Sequence, residues 1–331
     1  MTRLSSQLAV LASSFSLLHA ASLQKLNVTL EHNPSNVGFY IYVPDQIAPN
    51  PPVLVNPHWC HGDAPSAFAG STFASLASQY GFIVIYPDSP NLVDKCWDVS
   101  SRATLSHDGG GDSQGIVSMV NWTLDKYGAD ATRVFVTGVS SGAMMTNVLV
   151  GAYPDVFAAG SAFAGVPFGC YGANIPANTS DVDYWNSDCA EGRVQYSPAE
   201  WTSIVRAAYP AYGSGWRPKM QVFHGTVDET LNYTNFGEEI KEWTGVFGLS
   251  QTPTITVQDT PLANWTKYVY GDAGWFEAYS ALNVPHNIPV QADVAVDWFD
   301  LRCTEGDCFH WGTGGPTNKR SAGDHNQGRA N

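Results

Sequence analysis

The stretch RVFVTGVSSGAMMTNVLV, Arg133–Val150, changes character twice in eighteen residues. Val134, Phe135 and Val136 form a β-branched and aromatic run of the kind that makes a buried strand. Gly138-Val139-Ser140-Ser141-Gly142 fits the pattern G-x-S-x-G, and Ala143–Leu149 can continue as a helix. A strand, a tight turn and a helix around this pattern predict a nucleophile elbow with Ser140 at its tip. Small residues on both sides would let the strained turn pass its neighbours. The helix N-terminus would favour negative charge developing beside the hydroxyl. An ordinary Gly-Ser turn reads the same way in isolation, so partners elsewhere must decide.

Outward from this stretch, Pro52–Asn56, Phe82–Tyr86, Phe157–Phe163 and Lys219–Phe223 read as further buried strands. Leu26–Leu30 and Phe39–Val43 alternate like an antiparallel pair. Helices are expected over Ser71–Tyr80, from Asp112 to about Lys126, and over Val290–Phe299 at the close. Alternating strands and helices predict an α/β architecture with a mostly parallel central sheet flanked by helices. A long loop, Pro87–Gly111, carries Cys96 and Trp97. An excursion between Phe163 and Lys219 holds Cys170, Trp185 and Cys189.

Active sites of open parallel sheets lie beyond the C-terminal strand ends. After the strand Lys219–Phe223 comes His224-Gly225-Thr226-Val227-Asp228, which puts Asp228 at that edge. Read blandly, it is a turn aspartate. Downstream, Asn283-Val284-Pro285-His286-Asn287 precedes the closing helix and offers His286 as general base. The order Ser140…Asp228…His286 is that of α/β-hydrolases and of neither chymotrypsin-type nor subtilisin-type chains. His224 falls within or beside a strand, His310 and His325 in the tail, and His107 in the glycine loop as a weak rival. The oxyanion donors are expected to be the Ser141 N–H and that of Trp59 or Cys60, after Pro52–Asn56. Acyl transfer through Ser140, with His286 as base and Asp228 orienting it, follows from these placements.

The full chain of 331 residues is 44% hydrophobic, enough for one large domain. Its net charge of -14 argues against nucleic acid and anionic membranes, which both attract basic surfaces. Residues 1–21 read as a signal peptide, with Arg3, a short apolar stretch Leu8–Leu18, and small residues Ala20 and Ala21. Residues 22–301 would be the catalytic domain, and 302–331 a polar, Gly-rich, poorly ordered tail. Export makes disulfides the expected state of the cysteines, although sequence leaves fifteen connectivities open. The expected pairs are Cys60–Cys96, Cys170–Cys189 and Cys303–Cys308. His58, Cys60, His61 and Cys96 match no zinc template well, and the oxidising compartment favours a bridge, so no metal is expected there. Sequons at Asn27, Asn121, Asn178, Asn232 and Asn264 fit an extracellular glycoprotein, expected to be monomeric.

From about Leu26 to Leu301 the chain resembles the fungal acetylxylan esterases of carbohydrate esterase family 1. The likeness rests on GVSSGAMMTNVL, YPDVFAAGSAFAGVPFGC, Trp185-Asn186-Ser187-Asp188-Cys189, HGTVDETLNYTNFGEEIKEW and VPHN. It departs from the family around NPHWCHGDAP, and the tail does not continue as a Ser/Thr linker with a cellulose-binding module. The resemblance implies a secreted α/β-hydrolase that removes O-acetyl groups from xylan without metal or cofactor. It also implies that Ser140, Asp228 and His286 are the triad and that Trp59 and Trp185 border the substrate. A feruloyl esterase on the same scaffold is the nearest alternative, ahead of a polyester depolymerase. A catalytically inactive carbohydrate-binding protein is the alternative of a different class.

Overall fold

Runs of β-branched and aromatic residues become the strands of a single sheet in the computed structural model, which describes residues 21–272 and 274–314. The chain enters through β1 (Gln24–Leu26), β2 (Gly38–Tyr42) and β3 (Val53–Val55). Helices α1 (Ala64–Ala69) and α2 (Phe73–Tyr80) lead to β4 (Ile83–Asp88), and α3 (Asp112–Tyr127) leads to β5 (Val134–Val139). Then come α4 (Ser141–Ala152), β6 (Ala159–Phe163), α5 (Ser187–Ala190), α6 (Pro198–Ala207) and β7 (Lys219–Gly225). The last elements are α7 (Thr234–Phe247), β8 (Ile255–Gln258), β9 (Trp265–Tyr270), β10 (Phe276–Ala281) and α8 (Ala292–Trp298).

The strand order is β1-β2-β4-β3-β5-β6-β7-β10-β9-β8. The stretch from β4 to β10 is parallel throughout, and antiparallel strands extend it at both edges. Alternate side chains enter opposite faces. Val53, Val55, Val134 and Val136 join the larger core with α3, α4 and α7, whereas Leu54 and Phe135 join a second core with α1, α2 and α8. A strand buried on both faces needs the unbroken apolar run that marked it in the sequence. Truncating Leu54, which is wholly buried, to Ala would cost about 2–5 kcal/mol.

The chain proceeds from β3 to β4 on one side, then crosses back to place β5 on the other side of β3. That reversal puts the loops after β3 and β5 next to each other at the C-terminal edge, where ligands of such sheets bind.

Several elements differ from the sequence expectations. The first strand lies at Gln24–Leu26 and pairs with Phe39–Ile41, and the helix expected from Ser71 begins at Phe73. The run 255–281 forms three strands where none was expected. In β8 every residue is exposed, so the alternation that advertises a half-buried strand is missing. Helix α6 was also not expected, although Ser197-Pro198-Ala199-Glu200 spells the reciprocal Ser–Glu cap observed at its start.

The three expected disulfides are present, Cys60–Cys96, Cys170–Cys189 and Cys303–Cys308. All five sequon asparagines are exposed. The expected signal segment lies outside the described residues except for Ala21. The expected tail boundary needs correction, because packing does not stop at Leu301. Phe309 lies 3.9 Å beneath the Lys219 ammonium, and its N–H donates to Asp300 Oδ2 at 2.8 Å. The Trp311 indole donates to Pro154 O at 2.7 Å and its backbone N–H to Thr132 O. Two large aromatics outweigh the polar residues around them and carry this stretch onto the second core. The remainder, residues 315–331, lies outside the described residues.

Candidate active site

Ser140 stands between β5 and α4 with φ 55° and ψ -121°, a conformation unfavourable for a side-chain-bearing residue. The neighbouring glycines have a steric cause. A Cβ on Gly142 would come within 2.1 Å of Pro57 O, and one on Gly138 within 2.5 Å of the Gly142 carbonyl. The elbow therefore lies hard against the loop after β3, which only bare backbone permits.

His286 Nδ1 is 2.8 Å from Asp228 Oδ2, and His286 Nε2 is 2.8 Å from Ser140 Oγ. An ionised carboxylate only accepts, so Nδ1 carries the hydrogen and Nε2 is free to take the serine proton. The three residues come from widely separated parts of the chain. Gly225 explains how the loop carrying His286 approaches β7, since a Cβ there would lie 2.1 Å from Val284 O. Glu229 Oε2 accepts the His286 backbone N–H at 3.1 Å.

Asp228 is fully saturated. Oδ1 accepts the Thr230 and Leu231 N–H groups at 2.9 and 2.8 Å. Oδ2 faces His286 and also His224 Nε2, 3.2 Å away. Burial pushes the Asp228 carboxyl up, but the hydrogen bonds from His224 and His286 outweigh it and hold its pKa well below the usual carboxylate range. Sequence reasoning passed over His224 as part of a strand. The signal was its place four residues before the acid.

Ser141 follows Ser140 at the start of α4. Its hydroxyl is buried and accepts the Trp97 N–H at 2.8 Å. In the loop after β3, His58 is fully buried and its Nε2 accepts the Ser89 N–H at 3.0 Å. A backbone N–H can only donate, so the proton sits on Nδ1, which donates to Trp59 O at 2.7 Å. Burial lowers the His58 pKa, in keeping with a neutral ring. The Trp97 indole donates to His58 O at 2.8 Å, and Gly62 N–H also donates to Trp59 O. In a planar trans peptide the C=O and N–H point in opposite directions. Holding the carbonyls of His58 and Trp59 therefore aims the N–H groups of Trp59 and Cys60 the other way. Neither N–H donates to another group among the hydrogen bonds of the described residues.

The excursion between β6 and β7 is strapped to the Trp97 loop. Ser100 Oγ donates to Asp181 O, Tyr184 N–H donates to Ser100 Oγ, and Trp97 reaches Ser141. Trp185 follows, 46% exposed, with its ring edge-on to Tyr171 at 5.4 Å. Asn186 pins the next residue by donating to Ala173 O at 2.7 Å and accepting from Cys189 N–H. Trp59, by contrast, is half-buried, its indole within 3.2 Å of a Cβ placed on Gly62 or Gly70. In the same loop region Asp98, Asp112 and Asp183 converge. Burial and mutual repulsion raise Asp112 to about 7 and Asp183 to about 6.

Cys60 and Cys96 are joined, so they offer no thiolates beside His58 and His61. Asp300, Cys303 and Cys308 also gather metal-ligating types, and there too the sulfurs form a disulfide.

Residues 37–189 match the family model of the esterase PHB depolymerases. Acetylxylan esterase A of Aspergillus awamori is 48% identical over 268 residues, 81% of this chain and 86% of that protein. Its counterpart in Emericella nidulans is 49% identical over the same shares. The solved acetyl xylan esterase of Aspergillus awamori superposes with a TM-score of 0.80 at 47% identity, covering 85% of this chain and 99% of that one. An S-formylglutathione hydrolase of Staphylococcus aureus, 13% identical with a TM-score of 0.51, shares the fold alone. The fold is that of the α/β-hydrolases.

Proposed function

The chain belongs to the acetylxylan esterase family and is a carboxylic ester hydrolase, and from that premise we propose that it is a secreted serine esterase removing O-acetyl groups from acetylated xylan. The observation that carries the mechanism is the unbroken chain from Asp228 through His286 to Ser140, with two links of 2.8 Å. His286 Nε2 takes the Ser140 proton as Oγ attacks the acetyl carbonyl carbon. The oxyanion that forms is held by the N–H groups of Ser141 and of Trp59 or Cys60, whose directions are set before substrate arrives. The imidazolium returns its proton to the departing sugar oxygen, leaving acetyl-Ser140. Water then repeats the sequence and releases acetate. Asp228, ionised and fully hydrogen-bonded, supports the imidazolium throughout.

Trp185 supports the carbohydrate part of the proposal, because nearly half of its surface is free to meet a sugar face. Trp59 contributes chiefly its backbone. Secretion is supported by three disulfides, which persist in oxidising compartments. The test is acetate release from acetylated xylan set against hydrolysis of methyl ferulate. Faster release of acetate is expected. Faster turnover of the ferulate ester would replace the acetyl assignment with a feruloyl one.

A further inference from the structure

His224, the penultimate residue of β7, is completely buried behind Asp228. Its Nε2 lies 2.9 Å from Leu231 O and 3.2 Å from Asp228 Oδ2. Both are acceptors, so Nε2 must carry a hydrogen whether the ring is neutral or charged. The oxygen it faces is the one that receives the His286 Nδ1–H. We propose that His224 is a positioning residue for ester hydrolysis: its Nε2–H holds Asp228 Oδ2, fixes the carboxylate plane, and limits the basicity that Asp228 exerts on His286. The proposal rests on the triad reading above.

A histidine filling core volume would need only the Leu231 carbonyl. The second acceptor distinguishes this one. Without His224, Oδ2 would keep a single donor while Oδ1 kept two, and the carboxylate could swing about its Cβ–Cγ bond. Among the described residues, the other ring nitrogen, Nδ1, has no hydrogen-bond partner, and neither do Asn235 Oδ1, Glu239 Oε2 and Glu242 Oε2 on the buried face of α7. The groups facing the imidazole are therefore Asp228 from its own loop and Glu239 from α7, with Glu242 beyond it. Tyr233 is edge-on at 5.9 Å, its hydroxyl engaged with Ser280 of β10. Burial opposes a charge on His224, while Asp228 and Glu239 favour one and raise its pKa. Glu239 is itself pushed to about 7 by burial. In either charge state the single Nε2–H is shared between Leu231 O at 2.9 Å and Asp228 Oδ2 at 3.2 Å.

The test compares His224→Leu with His224→Gln, whose side-chain amide can place an N–H near the position of Nε2. His224→Leu is expected to lower kcat roughly 10- to 100-fold with KM within about twofold, the range typical of losing such an orienting partner. The acid limb of the kcat/KM profile should move to higher pH, because a less restrained and more basic Asp228 stabilises the His286 imidazolium. His224→Gln should restore most of kcat and return the limb toward its original position. A purely structural role would lower Tm in both variants and leave kcat per folded molecule and the limb unchanged, which would overturn the proposal. If the leucine variant does not fold, nitrogen-15 histidine NMR of the intact protein decides. The signal lost in His224→Gln must show a hydrogen on Nε2 whose shift moves in Asp228→Asn; a bare Nε2, or a proton shift indifferent to Asp228, would refute the contact. Ser140→Ala serves as the control: activity retained there defeats the triad itself, whereas activity lost there with unaltered His224→Leu kinetics defeats only His224.

Discussion

Two regions of the molecule treat carboxylates in opposite ways. Asp228, beyond β7, faces donors on both oxygens and is held well below the usual range. Asp112, at the start of α3, lies beside Asp98 and Asp183, and burial drives it up to about 7. The first region rests on strand ends and glycine-thin contacts that leave little freedom. The second belongs to long loops, tied by Cys60–Cys96 and Cys170–Cys189 and strapped together through Ser100. The difference amounts to a division of labour in the proposed function: strand ends carry the proposed bond-breaking groups, and the strapped loops carry the proposed sugar-facing wall.

The sharpest way to break this division is to strike the strand ends. Asp228→Asn should leave the fold in place and lower turnover by about 10⁴-fold, because the amide favours the wrong tautomer of His286. Ser140→Ala should lower it by more than ~10³-fold. Both losses should be alike on acetylated xylan and on p-nitrophenyl acetate, and steady-state kinetics on the two substrates would show this. Activity within tenfold of the parent in Ser140→Ala would remove the serine from the mechanism.

A smaller and more selective effect is expected from the wall. Trp185→Ala should reduce activity on acetylated xylan roughly tenfold while changing p-nitrophenyl acetate hydrolysis less than about twofold, since a good leaving group needs little positioning. Equal losses on both substrates would make Trp185 a packing residue, and the proposed division would fail at that point.

The smallest effect concerns stability. Asp112 has a folded pKa near 7 against an ordinary value of 3.8, so between those pH values the folded form binds a proton that the unfolded chain has released. Stability from this group is full below the unfolded pKa and is lost as pH rises through the folded one. Asp228 has the opposite sign and matters only as pH falls below its unfolded value. Tm should therefore rise by a few degrees, roughly, as pH is lowered from about 8 to about 5. Asp112→Asn should reduce that slope, the remainder coming from Asp183 and Glu239, which burial also raises into this range, and a slope unchanged in the variant would place the titration wholly in those groups. Differential scanning calorimetry across this range reads it directly.

The central strands, the elbow and the approximate positions of Asp228 and His286 were legible because each depends on local pattern. An apolar run that ignores alternation marks a strand buried on both faces, and glycines at fixed spacing mark the elbow. The edge hairpin at 255–270 was not legible, since the exposed residues of β8 carry no burial pattern. Phe309 and Trp311 were hidden among glycines and acids, where composition argued for a tail. His224 was missed for a different reason. Its place four residues before Asp228 was visible, but the contact is made by a turn back toward β7, and spacing alone does not distinguish such a turn from an extended segment. The residue patterns pointed to the triad positions and the resemblance agreed with them, but both were silent on what stands behind Asp228.

The pinned peptides after β3 have one more consequence. The two candidate donors there belong to the main chain, and their directions depend on the carbonyls held by Trp97 and His58. The side chain at position 59 is thus uncoupled from the hydrogen it sits beside. A lineage could exchange Trp59 for another residue, reshaping the rim and the range of esters admitted, while the stabilisation of the oxyanion stayed as it was. His58 and Trp97 would not share that latitude. Variation among descendants of this gene should accordingly be permitted at 59 and resisted at 58 and 97, so that new specificities can be sampled without first losing the reaction.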